Sequence, residues 1–249
     1  DGDVSSVTNL MTTPGADGQI SLREALTASL NTTSANGEAI SFASAGDYVI
    51  LSALPEISDS TGPIQILGEN KLTLINGSGI AGINGFTISS ANNLISGATI
   101  AGFQAGVRIY GAGATGNTVK SCILGATETV VVKGDGTTGN LYGVMVDDGA
   151  TMNTIGGTAI GDMNVISGNS NAGVLIAGGA TLNELHNNYI GTNVSGTEAV
   201  PNFVGVLIDG ASNNTVGSEV GASTNLIAGN TTAGIEILGA ATGNMIFNN

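Results

Sequence analysis

The chain has 249 residues, 40 of them Gly, with 5 Lys+Arg against 19 Asp+Glu, one Cys and no Trp. A formal charge of −14 excludes a nucleic-acid or anionic-membrane surface, because either needs a basic stripe that displaces counterions from phosphates. An apolar content of 41% with positive mean hydropathy excludes an acidic disordered chain, and no aliphatic run approaches the roughly 20 residues of a membrane span.

The first element expected is a helix. Ser21-Leu-Arg-Glu24 has the form of a capping box, in which the Ser side chain accepts from the backbone three residues on and the Glu returns the bond. Leu22, Ala25, Leu26 and Leu30 then give one apolar face, so a short amphipathic helix is expected over 21–31, inside an amino-terminal cap of residues 1–38. Its expected place is over the open end of whatever sheet follows, where unpaired strand edges invite aggregation. Strands are expected next at 39–42, 48–51, 64–67, 72–75, 86–88 and 93–95, the irregular first coils (39–92) of a single domain spanning 39–249.

From residue 93 a repeat takes over. A Gly-aliphatic-x-aliphatic phrase recurs at Gly106, Gly143, Gly173, Gly205 and Gly234, and about ten residues after each an Asn opens a second strand, at Asn117, Asn153, Asn183, Asn214 and Asn244. A third strand follows near Ser121, Asn164, Asn188 and Asn225. Three short Val/Ile strands per repeat, punctuated by Gly and Asn at the corners, predict a three-faced, right-handed parallel β-helix. Corner insertions alternate between sites, so the longer unit is a pair of repeats. Strands about 4.8 Å apart place the five strand-opening Asn residues in one column, where their amides can form a structural ladder along the axis. The narrow interior explains the scarcity of rings, and Phe103, Tyr110, Tyr142, Tyr189, Phe203 and Phe247 are expected near strand ends or on the surface. Cys122, in Ser-Cys-Ile-Leu, reads as a small core residue.

Asp17-Gly-Gln-Ile-Ser-Leu-Arg-Glu-Ala25, Ile-Ser-Phe42, Val-Ile-Leu-Ser-Ala-Leu-Pro-Glu-Ile57 and the Gly-Val-x-Ile and Asn-x-Ile-x-Gly-Asn repeats resemble secreted bacterial right-handed parallel β-helix proteins with an amino-terminal Ser-Leu-Arg-Glu-Ala capping segment. Ile20 stands where that family commonly has Cys. The resemblance implies export, a cell-surface or extracellular setting and the β-helix fold. It fixes activity only loosely, since relatives include adhesin-like and surface repeats as well as polysaccharide-acting enzymes.

Chemistry was sought on one exposed face. Asp147 and Asp209 fall at the same coil position with Ala177 between them, and Asp148 lies beside the first. Two coil steps separate their backbones by about 10 Å, near the spacing of an inverting glycosidase pair. For a lyase, Arg108 is the candidate base, but its aligned neighbours Met145, Leu175, Leu207 and Glu236 bring no carboxylate cluster to it, so a solvated Arg is expected. His186, the one His, lacks a Ser or Cys nucleophile, and Gly111-Ala-Gly113-Ala-Thr-Gly116 precedes a strand rather than the helix a dinucleotide needs. No metal motif appears. The acidic loops at Asp1-Gly-Asp3, Asp135 and Asp147-Asp148 are read as solubilising, with weak Ca²⁺ binding at most. An ice- or mineral-binding face is disfavoured because the rows change identity from coil to coil. The expected function is therefore a non-enzymatic extracellular structural or adhesive protein that stacks axially into a homopolymer and contacts extracellular polysaccharide. The alternative is a hydrolase or lyase of acidic glycans.

Overall fold

In the computed structural model, residues 2–125, 139–219 and 223–249 are described. Asp1 and Asp135 of the expected acidic loops lie outside them, as does Lys133. The chain winds as a three-faced parallel β-helix. Among the described residues, sheet A has eight strands, from Glu38–Ser41 to Met245–Phe247, and sheet B has seven, from Gly46–Val49 to Leu226–Ile227. Sheet C has six, from Phe86–Ile88 to Ala233–Leu238. Each turn contributes one strand to A, then B, then C, and pairs with the next turn in parallel register.

The register stacks like on like. Inward rows in sheet C run Val107, Val144, Val174, Val206 and Ile109, Val146, Ile176, Ile208, all buried. Each fully buried aliphatic side chain stabilises the coil by about 1.5–3 kcal/mol, enough to make stacking the source of the fold's stability. The interior accommodates two rings near its amino-terminal end, correcting the expectation for Phe103. Phe86 and Phe103 are both buried, and a Cβ on Gly77 would come within 2.3 Å of the Phe103 ring, so the missing side chain there makes the room. Phe203, by contrast, is exposed.

The cap contains two helices, α1 (Val7–Thr12) and α2 (Leu22–Leu30). The Ser21 hydroxyl accepts from the Glu24 amide at 3.2 Å and the Glu24 carboxylate accepts from the Ser21 amide at 2.9 Å, both bonds of the capping box. Leu22 and Leu26 pack into the same core as Ile64 and Ile66, covering the first coil. Helix α1 has no strong sequence signal. It is held by buried Leu10 and by the Val7 amide, which donates to the Thr32 hydroxyl at 2.8 Å. The strand Ala98–Ala101 is likewise not among those expected; it has Thr99 and Ile100 at its centre between two Ala, and its neighbours pair with it on both sides.

One corner column runs Asn92, Gly116, Met152, Leu182, Asn213, Gly243, and every member has positive φ, from 55° and 57° at Met152 and Leu182 to 67° at Gly116. Gly and Asn accept that left-handed conformation, whereas Met and Leu each hold about 1–2 kcal/mol of strain.

Candidate functional site

Three corners, three amide ladders. At the C-to-A corner the Asn183 Oδ1 accepts both the backbone N–H (3.0 Å) and the side-chain amide (2.9 Å) of Asn153. The Asn153 Oδ1 accepts the same two groups of Asn117, each at 2.9 Å. The pattern continues through Asn214 to Asn244, and Asn93 extends it one coil earlier by donating to Asn117. Each amide's second hydrogen returns to a carbonyl of the preceding coil, as from Asn153 to Ala114 at 3.0 Å, so an interior Asn uses both donors and both lone pairs. The B-to-C corner carries a second ladder through Asn140, Asn169, Asn202 and Asn230. The A-to-B corner carries a third through Asn164, Asn188, Asn225 and Asn249. Sequence reasoning missed these two columns, although Asn-x-Ile-x-Gly-Asn contains a member of each, because loops of unequal length separate their members.

Cys122 heads the third ladder. Its backbone amide donates to Asn164 Oδ1 at 2.9 Å, and its fully buried thiol has its pKa pushed up to about 11 by desolvation. That thiol is a packing group.

The expected candidates Arg108, Asp147 and Asp148 meet in a polar cluster on sheet C. Tyr110 pairs with Asp147 and Ala177 with Asp209, and Met145 pairs with Arg108, as the repeat alignment has it. The expected isolation of Arg108 is nevertheless corrected. Its Nε donates to Asp147 Oδ1 at 3.0 Å and its Nη2 to Asp147 Oδ2 at 2.7 Å, a bidentate fork, and Nη2 reaches Asp148 Oδ2 at 3.2 Å. The guanidinium also lies 4.5 Å from the centre of the Tyr110 ring. Bonding to Asp147 raises the Arg108 pKa further, so this side chain is a permanent cation and cannot act as a base. Tyr110 in turn hydrogen-bonds Glu56, which raises the phenol's pKa, and Ser89 donates to the same carboxylate. The network ties four successive coils together.

For the carboxylate pair, both Asp147 oxygens are engaged and the residue is 5% exposed, while Asp209 stands alone on the surface one coil beyond Ala177. A water-activating carboxylate needs a free lone pair facing the substrate. In Asp147 each oxygen already accepts a guanidinium N–H and the side chain is almost wholly buried. His186 pairs with Glu184 at 3.0 Å, and no nucleophile is placed with it. Among the described residues no cluster of three or more His, Cys, Asp or Glu side chains forms a metal centre, and no helix is long and apolar enough to cross a membrane.

The remaining described cations are used the same way. Arg23 of α2 donates to the Ser52 and Ala53 carbonyls at 2.8 and 2.6 Å. Lys71 donates to the Met163 carbonyl at 3.3 Å, with its pKa lowered by burial, and Lys120 forms a 2.8 Å ion pair with Asp162. The last two pin the insertion carrying the short turn Ile160–Asp162 against the coil body.

One expectation about the surface is also corrected. Thr115, Thr151, Thr181 and Ser212 bridge in succession, and the Ser212 hydroxyl lies 3.3 Å from that of Thr242, so this corner keeps a hydroxyl in five successive coils. The adjoining row is Thr118, Thr154, Glu184, Thr215, Met245, and Met152 and Leu182 protrude beside it, so the hydroxyls do not form a uniform plane. Neither a protein-family model nor any curated protein or solved structure matches the chain.

Proposed function

We propose that the chain is a non-enzymatic structural protein of a cell-surface or extracellular setting, a stiff β-helix that stacks end to end with copies of itself. The observation that carries the non-enzymatic reading is the use of its cations. All four described Lys and Arg side chains donate to acceptors in another coil or in the segment beneath the cap, and the best-placed carboxylate, Asp147, is consumed by one of them. Such groups brace coils against one another, so the described cations serve the fold rather than a substrate position.

Axial stacking is supported by the fold itself, in which each coil already pairs with the next through parallel strand edges along one axis. Ile237 and Ile246 continue inward rows whose preceding members, Ile208 and Val216, are fully buried, yet they are 46% and 42% exposed. A head-to-tail contact of that kind is heterologous and builds open filaments. The net charge of −14 opposes sideways association of the same surfaces. The resemblance to capped, secreted β-helix proteins supports the extracellular setting.

Glycan chemistry is tested by incubating the protein with acidic plant and microbial polysaccharides while following reducing ends and unsaturated products. No release on any of them is the expected result. Release that is lost in Asp209→Asn overturns the proposal in favour of a polysaccharide enzyme.

A further inference from the structure

The amino-terminal end of the coil interior holds carboxylates that nothing in the fold answers. Glu38 opens the first strand of sheet A and pairs with Ile64, a fully buried inward residue, so its side chain is directed inward. Both of its carboxylate oxygens are buried and without a hydrogen-bond partner. Asp59, in the next coil, is itself only 9% exposed. Its Oδ1 accepts the Thr61 amide at 2.7 Å, but its Oδ2 is buried and unpartnered. Ile57 bridges Ile88, which sets Asp59 level with buried Ser90, so this side chain is also turned to the interior.

Burial raises the Glu38 pKa and the nearby Asp59 charge raises it further, and the Ser34 hydroxyl, committed to the Gly37 carbonyl at 3.2 Å, offsets this only in part. Glu38 also lines a cavity of about 480 Å³ between the cap and the first coil, whose walls include Leu22, Ala25 and Ser29 of α2. Buried carboxylates without partners are too costly to persist uncompensated. No described basic side chain serves, since Arg23, Lys71, Arg108 and Lys120 are all bound elsewhere. A single proton would neutralise one carboxyl and leave the other.

We propose that Glu38 and Asp59 together bind one hard divalent cation of the calcium class, locking the cap to the first two coils. Three orphan carboxylate oxygens form an all-oxygen donor set of the kind that suits Ca²⁺. This site is separate from the acidic loops. There, Asp3 Oδ1 accepts from Ser5 and Asp147 from Arg108, so neither is left open.

The test is a CaCl₂ titration of EDTA-treated protein, read by calorimetry and by thermal unfolding. The expected result is one ion per chain with a Kd of roughly 0.1–1 mM, the range of extracellular calcium modules, and a rise in Tm. Glu38→Gln and Asp59→Asn should each weaken binding at least tenfold. Asp59→Asn keeps the oxygen that caps Thr61, and surface Glu236→Gln serves as the control that leaves binding unchanged. Absence of calcium binding to the wild-type chain overturns the proposal whether or not a variant folds, as does binding that both variants retain. Stabilisation of the wild type by lowering the pH, with no response to CaCl₂, overturns it in favour of a shared proton.

Discussion

Replacing Asn153 with Ala removes one rung from the middle of a ladder, and its cost can be worked group by group. The Asn117 backbone N–H loses its acceptor, and the Asn117 side-chain amide keeps only its bond to the Ser90 carbonyl. The Ala114 carbonyl retains the Thr151 amide at 3.2 Å, and Asn183 Oδ1 retains the Asn153 backbone amide, so the acceptors are left partly satisfied. Two buried donors are therefore orphaned, at about 1–3 kcal/mol each, in a site closed to water. The expected loss is about 3–5 kcal/mol, a large share of the roughly 5–15 kcal/mol that holds a domain together. Asn244→Ala is the comparison. Its amide makes the same bonds to Asn214 but is half-buried, so water can replace it and about 1 kcal/mol is expected. Urea unfolding followed by far-ultraviolet circular dichroism measures both. Equal shifts in midpoint for the two variants, or a loss under about 1 kcal/mol for Asn153→Ala, would refute the view that buried amide saturation holds the coils in register.

Other substitutions probe the remaining parts of the account. Asp147→Asn should destabilise by about 1–3 kcal/mol because the half-buried Arg108 loses its bidentate partner, whereas exposed Asp209→Asn should stay within about 0.5 kcal/mol in the same urea assay. Leu182→Asn should stabilise by about 0.5–1 kcal/mol, since its φ of 57° suits the Asn found at 92 and 213 in the same column, and a lowered urea midpoint would contradict this. Cys122 should resist thiol reagents in the native state and react on unfolding. With its folded pKa pushed up to about 11 from 9.0, the protonated thiol's contribution to stability is complete below the unfolded value and is lost as pH rises through the folded one. Rapid labelling without urea at neutral pH would show the thiol to be accessible.

What could be read from the sequence, and what could not, follows the range of the interactions. The coil repeat is legible because Val and Ile recur beside Gly at steady intervals, and the Asn117 to Asn244 column because each Asn opens a strand at a nearly fixed distance from that phrase. The Ser21 and Glu24 capping box is a contact over three residues. The Arg108 brace was hidden for the opposite reason. Aligning strands finds residues on one row, but Arg108 lies opposite Met145, and its long side chain reaches diagonally to Asp147 on the next outward row. Glu38 and Asp59 sit in the irregular first coils, where no repeat tells which side chain faces inward. Positive φ at Met152 and Leu182 is imposed by the stacked corner, against the preference of both residues.

The most direct measurement of the central claim is sedimentation velocity at rising protein concentration, alongside negative-stain electron microscopy, for the wild-type chain and the double variant Ile237→Lys, Ile246→Lys. End-to-end stacking predicts rod-like species that lengthen with concentration in the wild type and a monomer in the variant, where two charges occupy the exposed rows. A wild-type chain that stays monomeric at every concentration, or rods that persist in the double variant, would contradict it.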